Sequence, residues 1–127
     1  MTSEDSLQFV LSKLDQHEIH YMVTGSFASN VHGVPRTTYD ADIVIEASQR
    51  SLEGFLQSLG EDFYADPETA REAREHRSMF NVIHLETGFK IDLIVKKARP
   101  FSQQEFSRRE KVSLLGQPCW FATAEDV

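Results

Sequence analysis

The chain of 127 residues has a single cysteine, Cys119, so an internal disulfide is excluded. That scarcity fits a reducing compartment, and the expected location is the cytoplasm. Long hydrophobic runs are missing too. The longest, Ile91 to Val95, has Asp92 inside it and falls far short of the roughly 18 residues of a spanning helix, so neither a membrane segment nor a secretory one is expected. Nor is there an excess of basic charge: 13 Lys and Arg against 20 Asp and Glu give a net charge of −7, which disfavours a general electrostatic grip on nucleic acid. Repeats and low-complexity tracts are absent, which excludes a repeat architecture.

What is present is the balance of a globular domain, with 40% apolar and 26% charged residues. The length suits one domain burying roughly two thirds of its unfolded surface. Charge is unevenly spread. Lys96, Lys97, Arg99, Arg108, Arg109 and Lys111 share a stretch whose acids are only Glu105 and Glu110, a local excess that can receive phosphates or form a solvated helix face and loop.

Helical spacing of Leu7, Val10, Leu11 and Leu14 after Ser3 predicts a first helix, followed by a strand from Ile19 to Thr24 that stops at Gly25-Ser26. Phe27 to His32 reads as a short helix broken by Gly33-Val34-Pro35, and residues 38 to 46 as the next strand. Ser48 caps a second long helix carrying Leu52, Phe55, Leu56 and Leu59 and ended by Gly60. Asp66-Pro67-Glu68 opens a third helix that runs to Arg77. Ser78 to Leu85 and Phe89 to Lys96 form a hairpin about Glu86-Thr87-Gly88. A helix is expected from Ser102 to Lys111, then Val112 to Leu115, a Gly116-Gln117-Pro118 turn and a strand from Cys119 to Ala122. Thr123 to Asp126 has the look of a capped helical turn. The chain is therefore read as one domain, 1–127, either truncated at its C-terminus or ending in a frayed turn. The fold class is mixed α/β (α+β), with a central, partly antiparallel sheet.

Chemistry concentrates in two strands. Side chains alternate across a strand, so Asp40 and Asp42 share one face while Tyr39, Ala41, Ile43 and Ile45 share the other. Like charges at close range repel by about 1 kcal/mol in water and about 4 kcal/mol at a protein surface, which favours protonation or a cation between them. In the second strand Phe89, Ile91, Leu93 and Val95 form one face, and Lys90 with Asp92 the other. Taken alone, Asp92 also fits a solvated charge on an edge strand. If the two strands are neighbours, Asp40, Asp42 and Asp92 converge as an all-oxygen site of the kind hard Mg²⁺ prefers. Gly25-Ser26, between a strand and a helix, leaves backbone N–H groups free for phosphate oxygens, although no P-loop motif occurs. His17 and His20 lack zinc-helix spacing, His32 reads as a helix-end polar group, and Tyr21, Tyr39, Phe80, Phe89 and Trp120 as packing residues.

Val23-Thr24-Gly25-Ser26, a thirteen-residue gap and Asp40-Ala41-Asp42-Ile43 resemble the signature of the DNA polymerase β-like nucleotidyltransferase superfamily. The run from Gly25 to Asp42 is similar to its minimal bacterial and archaeal branch, which includes AbiEii-type toxins. The resemblance covers residues 19 to 46, is supported by Asp92 and is weak elsewhere. It implies a polymerase β-like fold with a central mixed sheet flanked by helices, and two-metal transfer of a nucleoside monophosphate from an NTP to a hydroxyl of a protein, RNA or small molecule. Asp40 and Asp42 would bridge two Mg²⁺ (or Mn²⁺) ions, and Asp92 would hold the catalytic ion and help deprotonate the attacking hydroxyl. Gly25, Ser26 and Arg36 would grip the triphosphate. If the acceptor were tRNA, the Lys96–Lys111 stretch would be the place to contact it. A helical protein partner or a homodimer is also implied. The alternative is a non-catalytic nucleotide-binding or toxin–antitoxin partner module of the same fold.

Overall fold

A computed structural model describes residues 3–24, 40–96, 106–114 and 117–121. Gly25, Ser26, the expected helix from Phe27 to His32, the break at Gly33–Pro35, Arg36 and Tyr39 lie outside the described residues, as do Ser102 to Glu105, Gly116 and the turn from Thr123 to Asp126.

Helix α1, Ser3–Gln16, buries Leu7, Val10, Leu11 and Leu14, the stripe expected from their spacing. The chain leaves it through Glu18, whose φ of 58° is left-handed, while Ile19 N–H donates to Leu14 O at 2.9 Å. Strand β1, His20–Thr24, follows, then β2, Asp40–Glu46. Helix α2, Gln49–Ser58, is capped as predicted: Ser48 Oγ accepts from Ser51 N–H at 3.1 Å, and Gly60, at φ 78°, follows its end. Helix α3, Pro67–His76, starts at Asp66, whose carboxylate accepts from Glu68 N–H at 3.2 Å and from Thr69 Oγ1 at 2.7 Å. Strands β4, Met79–His84, and β5, Lys90–Val95, form the expected hairpin, whose turn needs Gly88 at φ 73°.

Three differences from the sequence reading stand out. A two-residue strand β3, Phe63–Tyr64, pairs with Ile83 and His84 where none is expected. Glu110 and Lys111, expected in a helix, belong to strand β6, Glu110–Leu114. Gln117 and Pro118, expected in a turn, belong to strand β7, Gln117–Phe121. Local helix preference at Glu110 and Lys111 yields to an antiparallel β6–β7 ladder whose register runs from Glu110↔Phe121 to Leu114↔Gln117.

Among the described residues the strands form one sheet, ordered β3-β4-β5-β2-β1-β7-β6. It is mixed, as expected: β2 pairs parallel to β5 and β1 parallel to β7, and the other pairings are antiparallel. Tyr21, Val23, Ala41, Ile43, Ile45, Phe80, Val82, Ile91 and Leu93, alternate residues of four strands, are buried in one cluster with inward residues of α1, α2 and α3. Ala70 and Ala73, both buried, present only methyl groups and bring α3 close to the sheet. The opposite face carries the polar alternates and a small separate cluster of Met22, Val44 and Phe106. No described helix is long and apolar enough to cross a membrane.

Candidate active site

Register builds the site. Antiparallel pairing sets Thr24, the last residue of β1, opposite Asp42; parallel pairing sets Asp42 opposite Asp92; antiparallel pairing sets Asp92 opposite Asn81. Thr24, Asp42, Asp92 and Asn81 thus form one row across four adjacent strands, on the face away from the helices. Neighbouring strands lie about 4.8 Å apart, so the Asp42 and Asp92 side chains stand within the span of a single cation. Asp40 opens β2 one row further on, opposite Lys90. Ile83 and Tyr64 continue that row outward.

Asp92 is not an edge charge. Strand β5 is interior, flanked by β2 and β4, and the Asp92 side chain keeps 13% of its exposure. Its Oδ1 accepts a hydrogen bond from Asn81 Nδ2, and Lys90 Nζ lies 4.0 Å from the same oxygen. Thr24, which ends β1 in this row, is followed in the sequence by Gly25-Ser26, which lie outside the described residues. Among the described side chains no three His, Cys, Asp or Glu converge as a metal site; Asp42 and Asp92 stand as a pair, and Asp40 is described by its backbone.

The next row on the same face is apolar. Met22, Val44, Ile94 and Met79 are register partners, and Phe106 packs on the first two. The Arg109 guanidinium is held between two rings, 4.4 Å from the Phe106 centroid and 4.5 Å from that of Trp120, and its Nη1 donates to Phe106 O at 2.9 Å. Lys111 Nζ lies 5.1 Å from the Trp120 ring, and Lys96, only 12% exposed in its side chain, pairs with Glu46 at 3.6 Å. Much of the basic stretch is therefore packed onto aromatic and acidic neighbours rather than forming a solvated helix face. Arg108 and Lys111 are exposed, while Lys97 and Arg99 lie outside the described residues.

Two cavities lie away from the row. One of about 440 Å³ sits between α2 and α3, lined by Leu52, Leu56, Ala65 and Pro67 with Glu53 and Arg71. Another, of about 370 Å³, sits at the far ends of β2 and β5, beside Glu46, Arg74 and Lys96. A smaller recess of about 210 Å³ touches the row through Asn81, with Tyr64, Ile83 and Asp66 around it. His84 is a packing residue: it is buried, its Nδ1 is 2.8 Å from Thr87 Oγ1, and its ring is tilted 5.0 Å from Phe63.

No family model matches the sequence, and no curated protein matches it. Solved structures do resemble it. The lincosamide antibiotic adenylyltransferase LnuA, in its lincomycin-bound form, superposes with a TM-score of 0.64 over 95% of this chain and 80% of that one, at 13% identity. The chain has a nucleotidyltransferase fold. A putative nucleotidyltransferase from Thermotoga maritima matches at a TM-score of 0.60 over 94% of this chain and 76% of that one, at 14% identity. An antigenic nucleotidyltransferase-like protein from Paracoccidioides brasiliensis matches at 0.58 and 20% identity, over 94% of this chain and 60% of that one. At such identities the likeness is one of architecture, and it agrees with the polymerase β-like fold expected from the motif.

On this nucleotidyltransferase fold, Asp40, Asp42 and Asp92 come to neighbouring positions of β2 and β5. Gly25, Ser26 and Arg36 lie outside the described residues. Asn81 is the neighbour that sequence reasoning missed. Its signal is slight, a lone amide among Met79, Phe80, Val82 and Ile83; the expected hairpin pairs its strand with that of Asp92 but leaves the register open.

Proposed function

We propose that this protein is a nucleotidyltransferase that moves a nucleoside monophosphate from an NTP to a hydroxyl acceptor and uses Mg²⁺ or Mn²⁺ to do so. The observation that carries the reading is the in-register pair Asp42–Asp92, with Thr24 in the same row and Gly25-Ser26 following at once. The donor set is all oxygen and its two carboxylates repel, which suits a hard divalent cation. Such an ion, when bound, neutralises triphosphate charge and favours ionisation of an oxygen nucleophile.

The residues divide the remaining work. Asp42 and Asp92 would hold the cation, with Asp40 as a further ligand. Backbone N–H groups after Gly25 and the Ser26 hydroxyl would bind the β- and γ-phosphates, and Arg36 would clamp a phosphate oxygen. The acceptor oxygen would attack the α-phosphorus as the bond to pyrophosphate breaks, and Asp92 would accept the hydroxyl proton. Protein, RNA and small-molecule hydroxyls are the acceptor classes to screen.

The test is calorimetric titration of ATP, GTP, CTP and UTP with Mg²⁺ into wild type and Asp42→Asn, followed by transfer of α-labelled nucleotide to candidate acceptors. Saturable Mg²⁺-dependent binding that the variant loses is expected. Identical behaviour of the two proteins, or no binding to any nucleotide, refutes the reading.

A further inference from the structure

Asp92 sits between two unlike neighbours. On the β2 side is Asp42, a like charge; on the β4 side is Asn81, an uncharged amide whose Nδ2 donates to Asp92 Oδ1. Lys90, two residues back on the same strand face, approaches that same oxygen at 4.0 Å. Both contacts fall on Oδ1, which leaves Oδ2 as the oxygen for a cation shared with Asp42. A carboxylate at position 81 would add repulsion, and an aliphatic side chain would leave the Asp92 rotamer unanchored. A carboxylate that ligates a cation binds more tightly when a hydrogen bond orients its other oxygen.

We infer that Asn81 is a positioning residue for Asp92, fixing its carboxylate so that one oxygen is presented toward Asp42 for the cation. This rests on the reading of Asp42 and Asp92 as cation ligands, and the experiment separates the two. The probe is Mn²⁺ alone, with the free ion followed by its paramagnetic resonance signal, for wild type, Asp92→Asn, Asn81→Leu and Asn81→Gln. Thermal unfolding in EDTA checks that each variant is folded.

Saturable binding by wild type, loss in Asp92→Asn, a rise in Kd of about 10- to 100-fold in Asn81→Leu and substantial recovery in Asn81→Gln, which keeps the amide donor, are expected. Saturation should be reached in Asn81→Leu at higher Mn²⁺ with an unchanged number of bound ions. If Asp92→Asn abolishes binding but Asn81→Leu stays within about twofold of wild type, the role of Asn81 is overturned and the cation reading stands. Failure of Asn81→Gln to recover any affinity lost in Asn81→Leu, or a lower number of ions bound at saturation, also overturns it, because loss of the donor is then not the cause. If Asp92→Asn and wild type do not differ, the cation reading falls and the inference with it.

Discussion

Neutralising Asp92 should stabilise the metal-free protein. Asp92 faces Asp42 across one strand spacing, so their charges lie roughly 5 Å apart, and Coulomb's law gives a repulsion of roughly 1 kcal/mol at the dielectric of water and roughly 3 kcal/mol at an effective dielectric of 20. Against this, Asp92→Asn gives up the contact with Lys90, whose 45% exposed side chain and 4.0 Å separation make it a surface pair worth at most about 1 kcal/mol. The hydrogen bond from Asn81 survives, because a carboxamide oxygen at position 92 still accepts it. The balance is a gain of about 1 kcal/mol, or a rise in Tm of about 3–5 °C for a domain of this length, in EDTA at low salt. The gain should shrink at 1 M salt, where charges more than about 3 Å apart are screened. Added Mg²⁺ with a bound nucleotide should narrow or reverse the gap, since only the wild type then gains binding energy. Differential scanning fluorimetry in EDTA, at two salt concentrations and with Mg²⁺, reads all of this. A variant melting several degrees below wild type in EDTA at low salt would show that the carboxylates do not repel in the folded state, and the register argument would fail.

Phe55 of α2 is fully buried among the helix–sheet contacts, so Phe55→Ala should lose about 3–5 kcal/mol by leaving a cavity, read from urea unfolding; a loss below 1 kcal/mol would mean that the helical layer packs otherwise. Burial, aided by nearby Cys119, pushes the Tyr21 phenol well above its ordinary value near 10, and its oxygen accepts from Trp120 N–H at 3.3 Å. The unfolded chain therefore releases that proton first, so the contribution of Tyr21 is complete below pH 10 and is lost as pH rises above it. Tyr21→Phe should flatten the alkaline fall in stability above pH 10, and an unchanged profile would assign that fall to other groups.

Helix starts were readable because their causes are local. Ser48 and Asp66-Pro67 supply cap acceptors within three residues of the N–H groups they satisfy, and Gly88 meets the positive φ of the hairpin turn. Strand β3 escaped notice because two residues, Phe63 and Tyr64, carry no period of their own and are extended through pairing with Ile83 and His84. Lys111 was misread for the same reason: polar residues beside it favour helix locally, and only the ladder to Trp120 makes it strand.

The site divides in the same way. Alternation along each strand sufficed to put Asp40 with Asp42, and Lys90 with Asp92, on the face opposite Ile43 and Ile91, because the side-chain period of two is a property of the backbone itself. Alternation cannot say which strands touch or in what register; the β2–β5 pairing that matters most joins residues fifty apart and is chosen by how the apolar face packs against the described helices. Tertiary structure alone set Asp42 against Asp92 and made β5 an interior strand; the hairpin that carries Asn81 was expected, but its register and the bond from Asn81 to the carboxylate of Asp92 were not.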